Sequence, residues 1–156
     1  MRNSTMNKKY IDSQEKMFEK YEKDCKSIRK SNEKLLNKFH DYLDEKGLTQ
    51  KTIKEHVSNI DFYINEYLLY YDANLPQEGI FKIDGFLGDW FPRKALWSSV
   101  TSVKNYIASF KKFYSWMVDQ GLNTMEELKE MKEEIKEEKD EWITGIQCDE
   151  VDSDFF

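Results

Sequence analysis

The sequence predicts an all-α fold, and three observations support that prediction. The 156-residue chain contains only two Pro and six Gly, too few for the many turns of an all-β protein. Its apolar residues recur at steps of three and four over most of the chain, which is helical spacing. Aromatic residues make up 15% of the chain, so a substantial core can form although 35% of the residues are charged.

The first apolar seam extends from Ile11 to Leu43. Its members are Ile11, Phe18, Tyr21, Cys25, Ile28, Leu35, Phe39 and Tyr42. One long helix would explain this spacing, with the polar Asn32 setting register as in a coiled coil. Two helices with a break capped by Ser31 or Asn32 would explain it equally well. Gly47 predicts where this part of the chain stops being helical.

A second helix is predicted to begin at the N-cap Thr49 and to extend to about Tyr71. One face of it carries Ile53, Val57, Ile60, Ile64, Tyr67 and Leu68. Residues 72–79 contain Asn74 and Pro76 and are predicted to form a loop. This stretch therefore provides one long amphipathic element followed by a turn.

Two further helices are predicted before residue 123. A short third helix over residues 80–90 is interrupted by glycines and is expected to stop near Pro92. Ser98 or Ser99 can cap the fourth helix, which Gly121 closes. Its broad apolar face carries Val103, Tyr106, Ile107, Phe110, Phe113, Tyr114, Met117 and Val118. We expect Phe110, Phe113 and Trp116 to be core residues rather than platforms for stacked bases.

A fifth helix is predicted over residues 124–142. Thr124 begins it, and Glu126 and Glu127 lie in its first turn, where the helix dipole favours negative charge. Its apolar stripe contains Leu128, Met131, Ile135 and Trp142. Residues 143–156 show no periodicity and are predicted to be a disordered acidic tail.

The charge of the chain is unevenly distributed. The net charge of −6 taken alone would argue against a nucleic-acid partner. Residues 1–30 carry nine Lys or Arg against five Asp or Glu, residues 31–123 carry 11 against 12, and residues 124–156 carry four against 13. Since the basic N-terminal segment and the acidic fifth helix are both amphipathic, we expect them to pack together, within one chain or across a dimer.

Several classes of protein and site are not expected. Cys25 and Cys148 lie far apart in flanking segments, which favours a reduced, cytoplasmic protein over a disulfide framework. No apolar run approaches the length of a membrane span, and the N-terminus lacks the apolar stretch of a secretory signal. His40 and His56 have no Cys or His partner at metal spacing and are expected to be partly exposed helix residues. We therefore predict no catalytic residues, metal or cofactor, and no membrane partner.

Two short motifs carry a resemblance to a known family. The first is Lys46-Gly47-Leu48-Thr49-Gln50-Lys51-Thr52-Ile53, and the second runs from Tyr106 to Trp116 and is followed by Gly121. Together with the helix count and loop placement over residues 31–123, they resemble the N-terminal DNA-clamping (core-binding, SAM-like) domain of tyrosine recombinases and phage integrases. The resemblance implies a four-helix orthogonal bundle, here with an N-terminal helical extension (residues 1–30) and a C-terminal acidic helix.

In that family the second and fourth helices face double-stranded DNA. The matching polar positions here are Thr49, Lys51, Thr52, Lys54, Thr101, Ser102, Lys104, Asn105, Lys111 and Lys112. The family commonly has an arginine pair where this chain has Lys111 and Lys112. Lysine neutralises phosphate but lacks the bidentate fork that reads guanine, so phosphate contacts are expected to dominate.

The resemblance does not extend to the family's catalytic domain. That domain uses a tyrosine nucleophile, two arginines and a His-x-x-Arg element, and neither His40 nor His56 is followed by such an arginine. We therefore expect a non-catalytic accessory or regulator of DNA integration and recombination. A recombinase, or a second copy bound through the terminal helices, is a further candidate partner. The alternatives are a helical protein-interaction module that keeps the fold without binding DNA, and a fragment of a longer recombinase.

Overall fold

The computed structural model describes the backbone of residues 2–154 and the side chains of residues 7–147, and the regular structure in that part of the chain is helical. The α-helices are α1 (Arg2–Glu45), α2 (Gln50–Phe62), α3 (Ile83–Gly85), α4 (Phe91–Lys94), α5 (Val100–Asp119) and α6 (Met125–Asp154). A π-helical segment, Tyr63–Tyr67, continues α2, and a second, Phe86–Trp90, joins α3 to α4. A 3-10 helix, Pro76–Phe81, precedes α3. The all-α prediction is confirmed.

The segment that carries the first apolar seam forms one continuous helix, α1, rather than two helices. Asn32 lies in the middle of α1 and is buried. Its Nδ2 donates to Asn65 Oδ1 at 2.8 Å and to the carbonyl oxygen of Ile64 at 3.4 Å. The polar seam position therefore pairs with the π-helical continuation of α2 in the same chain.

The N-terminal part of α1 extends beyond the helical bundle. Residues 7–20 are exposed along their whole length. Contact with the bundle begins at Tyr21, whose hydroxyl donates to the carbonyl oxygen of Leu69, and continues with the buried Cys25. From there α1 packs against α2 and the first π-helical segment.

Local capping signals place the starts of α2 and α5. Thr49 Oγ1 accepts from the amide of Thr52 at 3.2 Å, as predicted for an N-cap. Of the two candidates before α5, Ser99 is the cap: its Oγ accepts from the amide of Ser102 at 3.1 Å, while Ser102 Oγ accepts from the amide of Ser99 at 2.7 Å. Gly47 and Gly121 have φ of 80° and 75°, which suits their predicted place after helix ends.

The region predicted as one short third helix over residues 80–90 is helical: an uninterrupted helical run from Ile83 to Lys94, π-helical in its middle, follows a 3-10 helix. The predicted loop 72–79 contains the start of the 3-10 helix, and α3, the second π-helical segment and α4 follow it. This helical run ends at Lys94, two residues after Pro92, which agrees with the prediction that the helix stops near Pro92.

The core is built largely from aromatic rings supplied by these elements. Tyr63 stands edge-on to Phe86 and to Phe110, with ring centroids 4.9 and 4.6 Å apart. Phe39 of α1 meets Phe113 of α5 at 5.1 Å. Phe110, Phe113 and Trp116 are all buried, as predicted for core residues.

Helix α6 closes the other side of the bundle. Thr124 Oγ1 accepts from the amide of Glu127 at 3.1 Å, and Glu127 Oε1 accepts from the amide of Thr124 at 2.8 Å, which is a capping box. The predicted stripe is buried against α5, the 3-10 helix, α3, α4 and the second π-helical segment. Its buried residues are Leu128, Met131, Ile135, Trp142 and Ile146.

Two expectations about the ends of the chain need correction. The tail predicted to be disordered from residue 143 is helical as far as Asp154, and Ile146 continues the buried stripe one turn after Trp142; Phe155 and Phe156 lie outside the described residues. Within one chain, the basic segment does not lie along the acidic helix: α6 packs on the bundle while residues 7–20 extend away from it. Pairing across a dimer stays a prediction.

Candidate nucleic-acid interface

Helices α2 and α5 pack against each other. His56, near the middle of α2, meets Ser109 of α5, and Asn59 meets the same residue. Tyr63, directly after α2, meets Phe110 with ring centroids 4.6 Å apart. The middle and the end of α2 therefore both contact α5 near Ser109.

The predicted site residues lie on three parts of these two helices. Thr49, Lys51, Thr52 and Lys54 lie at the start of α2, and Lys111 and Lys112 directly follow the contact region around Ser109 on α5. Thr101, Ser102, Lys104 and Asn105 lie in the first turns of α5. Thr52 and Ser102 are half-buried and the other eight residues are exposed, so all ten remain accessible to a ligand.

Three of the predicted hydroxyl groups already have partners within the protein. Thr49 and Thr52 contact each other, Oγ1 to Oγ1 at 2.9 Å, in addition to the capping bond. Ser102 Oγ donates to the carbonyl oxygen of Ser99 at 2.9 Å. These side chains therefore stabilise helix starts, and a phosphate there would compete with the caps.

The five lysines of the interface are free of internal ion pairs in the described part of the chain. The two ion pairs found among the side chains of residues 7–147 join His40 to Asp41 and Arg93 to Asp89, and neither involves a lysine. The five are Lys51, Lys54, Lys104, Lys111 and Lys112. Glu55 is an exposed acidic neighbour on α2. The positive charge is thus available to an external anion.

A buried polar bridge joins α2 to α5 beneath these lysines. His56 Nδ1 lies 2.8 Å from Ser109 Oγ, and Asn59 Nδ2 donates to the same oxygen at 3.0 Å. Ser109 is completely buried, and His56 is 8% exposed. The expectation that His56 would be a partly exposed helix residue is therefore wrong. Its place three residues after Ile53 and four before Ile60, on the buried face of α2, is the signal that could have indicated this.

The hydrogen bonds around Ser109 indicate which form of the His56 ring is present. Because Ser109 Oγ accepts from Asn59, its one proton is free to donate to His56 Nδ1, which fits a neutral imidazole protonated on Nε2. Desolvation lowers the pKa of His56, and the nearby Lys112 ammonium lowers it further, against a smaller opposite effect of Glu55. His56 is therefore a neutral spacer between the two helices near neutral pH.

The described residues contain neither a cluster of potential metal ligands nor a helix that could span a membrane. Within that range, no group of three or more His, Cys, Asp or Glu side chains is arranged to hold a metal ion. None of the helices there combines the length and apolar character needed to cross a membrane. His40 is half-buried, with Nδ1 3.6 Å from Asp41 Oδ1.

Comparison of the chain with protein-family models, with curated proteins and with solved structures gives no match. The geometry and charge of α2 and α5 therefore carry the functional argument.

Proposed function

We propose that this chain is a non-catalytic DNA-binding protein that contacts double-stranded DNA through α2 and α5. In this proposal residues 31–123 have the core-binding (SAM-like) fold of tyrosine recombinases and phage integrases. The protein would act as an accessory or regulator of DNA integration or recombination. The observation that carries the proposal is the set of five exposed lysines on two adjacent helices, none of them in an ion pair within the described residues.

The contacts would be made mainly to phosphates. Each lysine supplies a point charge on a flexible stem, which neutralises a phosphate without fixing the geometry needed for base recognition. The bridge from His56 and Asn59 to Ser109 supports this function, because it holds the two lysine-bearing helices at a fixed spacing. A fixed spacing lowers the entropic cost of engaging several phosphates at once.

Fluorescence anisotropy with a labelled duplex across a salt series tests this proposal. Three to five phosphate contacts made by α2 and α5 contribute about −3 to −4.5 to the slope of log K against log salt. The variant Lys111→Glu/Lys112→Glu should flatten that slope strongly. The matched control is Lys132→Glu/Lys136→Glu, which makes the same charge change on the exposed side of α6. Equal losses in both variants, or no binding by the wild-type protein at low salt, would contradict the proposal.

A second candidate function, a protein-interaction module, is favoured by the exposed apolar side of α1. Ile11 and Phe18 are 53% and 59% exposed and continue the seam that is buried from Cys25 onward. A second copy is the proposed occupant, with the two exposed segments antiparallel so that the bundles lie at opposite ends. This arrangement places Lys8 of one copy beside Glu22 of the other, and the converse.

The oligomeric state distinguishes this candidate. Sedimentation equilibrium should give a dimer for the wild-type chain and a monomer for Ile11→Asp/Phe18→Asp. Both side chains lie outside the bundle, so the thermal melt of the bundle should not change. A monomeric wild-type protein at high concentration would rule out self-association through α1.

A further inference from the structure

Helix α1 carries a long stripe of lysines on its outer side. At about 100° per residue, all of them fall within an arc of about 120° whose centre lies opposite the buried residues Cys25, Asn32 and Phe39. The stripe consists of Lys8, Lys9, Lys16, Lys20, Lys23, Lys26, Lys30, Lys34 and Lys38, and every one of these side chains is exposed. Over the same residues, Asp12 and Glu19 are the acidic members of that arc.

The dimensions of the stripe suit a rod-shaped polyanion. The distance along the helix from Lys8 to Lys38 is about 45 Å at a rise of 1.5 Å per residue. One helical turn of B-DNA is about 34–36 Å long. A straight helix of this length can therefore meet phosphates over more than one turn of the duplex.

The pattern differs from that of an ordinary solvated helix face. On the exposed side of α6, lysines alternate with acidic residues, as Lys129, Glu130, Lys132 and Glu133 illustrate. Mixed charge of that kind is typical of a solvated helix and leaves little net field. The stripe on α1 has one dominant sign although the whole chain has a net charge of −6.

The stripe has no acidic partner in the described part of the molecule. Neither of the two ion pairs found there includes a residue of the stripe. The acidic helix α6 packs against α3, α4, α5 and the second π-helical segment. The positive charge of α1 therefore faces outward.

We infer that the outer face of α1 is a second phosphate-binding surface for duplex DNA, separate from the lysines of α2 and α5. The inference rests on the proposed function in taking duplex DNA as the ligand. Duplex DNA is favoured over a lipid surface because the stripe continues through Lys26, Lys30, Lys34 and Lys38, where the apolar side of α1 is covered by the bundle. A free apolar side is present only in the segment that carries the exposed Ile11 and Phe18. A membrane-bound amphipathic helix needs a free apolar face beside its basic residues.

The test uses neutral substitutions in the middle of the stripe. Lys16→Gln/Lys20→Gln/Lys23→Gln should reduce the salt slope of duplex binding by about 3, and should lower the affinity at low salt about tenfold or more. The matched control Lys129→Gln/Lys132→Gln/Lys136→Gln removes the same charge from α6. All six side chains are exposed, so circular dichroism melts should coincide.

The outcomes separate this inference from the proposed function. Loss of binding in the α1 variant, with no loss in Lys111→Glu/Lys112→Glu, would support the stripe and overturn the α2–α5 interface. Loss of binding in Lys111→Glu/Lys112→Glu, with no loss in the α1 variant, would overturn the inference about α1 and leave the α2–α5 interface standing. An α1 variant that behaves like the α6 control, or a wild-type protein that binds no duplex, also overturns it. A second experiment measures cosedimentation of the protein with vesicles of phosphatidylserine and phosphatidylcholine. If the wild-type protein cosediments, and the α1 variant does not but still binds duplex DNA normally, the stripe is a membrane-binding surface and the inference is overturned.

Discussion

His56 of α2 and Ser109 of α5 form a direct polar contact inside the helix pair, with Nδ1 and Oγ 2.8 Å apart. Asn59 donates to the same hydroxyl oxygen at 3.0 Å. A serine that accepts one hydrogen bond and donates another, in a completely buried position, is satisfied on both sides. The two helices that carry the candidate DNA-binding lysines are therefore joined by a specific network as well as by apolar packing.

Ser109→Ala should destabilise the protein by roughly 1–3 kcal/mol, because the buried His56 ring nitrogen would be left without a partner and the half-buried Asn59 amide would lose its acceptor. Urea unfolding followed by circular dichroism measures this loss. Ser58→Ala is the matched control, since it removes the same hydroxyl from an exposed position of α2 and should change the stability little. Equal midpoints for the two variants would show that the bridge does not hold the helices together.

Stability should also depend on the protonation of His56. The pKa of His56 is lowered from its ordinary value of 6.5, first by desolvation and then by Lys112, while Glu55 has a smaller opposite effect. The folded protein therefore binds this proton less readily than the unfolded chain. The contribution of His56 is fully present above about pH 6.5 and is lost as pH falls through the lowered pKa.

Urea midpoints at a series of pH values from about 8 to 5 should therefore fall more steeply on the acid side for the wild-type protein than for His56→Gln. Glutamine keeps a polar side chain at this position but does not titrate in this range. The same pH slope in both proteins would contradict a neutral, buried His56.

The capping and core predictions agree with the structure where the determining contacts are local. Thr49, Ser99 and Thr124 act as caps because each hydroxyl reaches an amide only three residues away. Gly47 and Gly121 follow helix ends, where the backbone has a positive φ that glycine adopts without a steric penalty. Contacts of this kind are readable from a short window of sequence.

Features that depend on distant parts of the chain were not predicted. The burial of His56 requires Ser109, which lies 53 residues away. The π-helical pattern of Phe86–Trp90 within the third helix has no local signal, and Phe86 packs there against Tyr63 and Tyr106, which are distant in sequence. The lysine stripe of α1 was present in the sequence but depends on one uninterrupted helix, which the spacing around Asn32 left undecided.

The 3-10 helix Pro76–Phe81 provides a test of core packing. A Cβ added at Gly79 would lie 2.8 Å from Tyr63 Cε2 and would also meet the hydroxyl of Tyr114. Both tyrosines are fixed nearby, because Tyr63 donates to the carbonyl oxygen of Gly79 at 2.6 Å and Tyr114 donates to that of Pro76 at 2.8 Å. Neither ring can move without losing a buried hydrogen bond.

Gly79→Ala should therefore lower the free energy of unfolding by roughly 1–3 kcal/mol through overpacking. Gly145→Ala is the matched control: it lies in α6 with open space around the new methyl group, and alanine should stabilise the helix by about 1 kcal/mol or less. Thermal or urea unfolding of both variants would measure these effects. A Gly79→Ala protein as stable as the wild type would contradict the packing around Tyr63 and Tyr114.

The docking of α6 should weaken as Glu134 ionises. Desolvation raises the pKa of Glu134 above its ordinary 4.5, with repulsion from Asp84 as the next cause. Asp84 is held in place by Trp142, whose Nε1 donates to Asp84 Oδ1 at 2.7 Å. Because the pKa of Glu134 is higher in the folded protein than in the unfolded chain, its contribution to stability is complete below the unfolded-chain pKa of about 4.5. That contribution is lost as the pH rises through the pKa of the folded protein.

Glu134→Gln should therefore raise the urea midpoint at neutral pH, and the difference from the wild type should disappear below about pH 4.5. Glu137→Gln, at an exposed position of the same helix, is the control and should have a smaller effect. A Glu134→Gln protein that is less stable than the wild type at neutral pH would contradict the predicted repulsion.

The most direct test of the central claim is protection of individual lysines from acetylation when duplex DNA is added, read out by mass spectrometry. The account predicts that Lys51, Lys54, Lys104, Lys111 and Lys112 become protected while Lys132 and Lys136 of α6 react as before. Unchanged reactivity of the α2 and α5 lysines at a DNA concentration that saturates binding would contradict it.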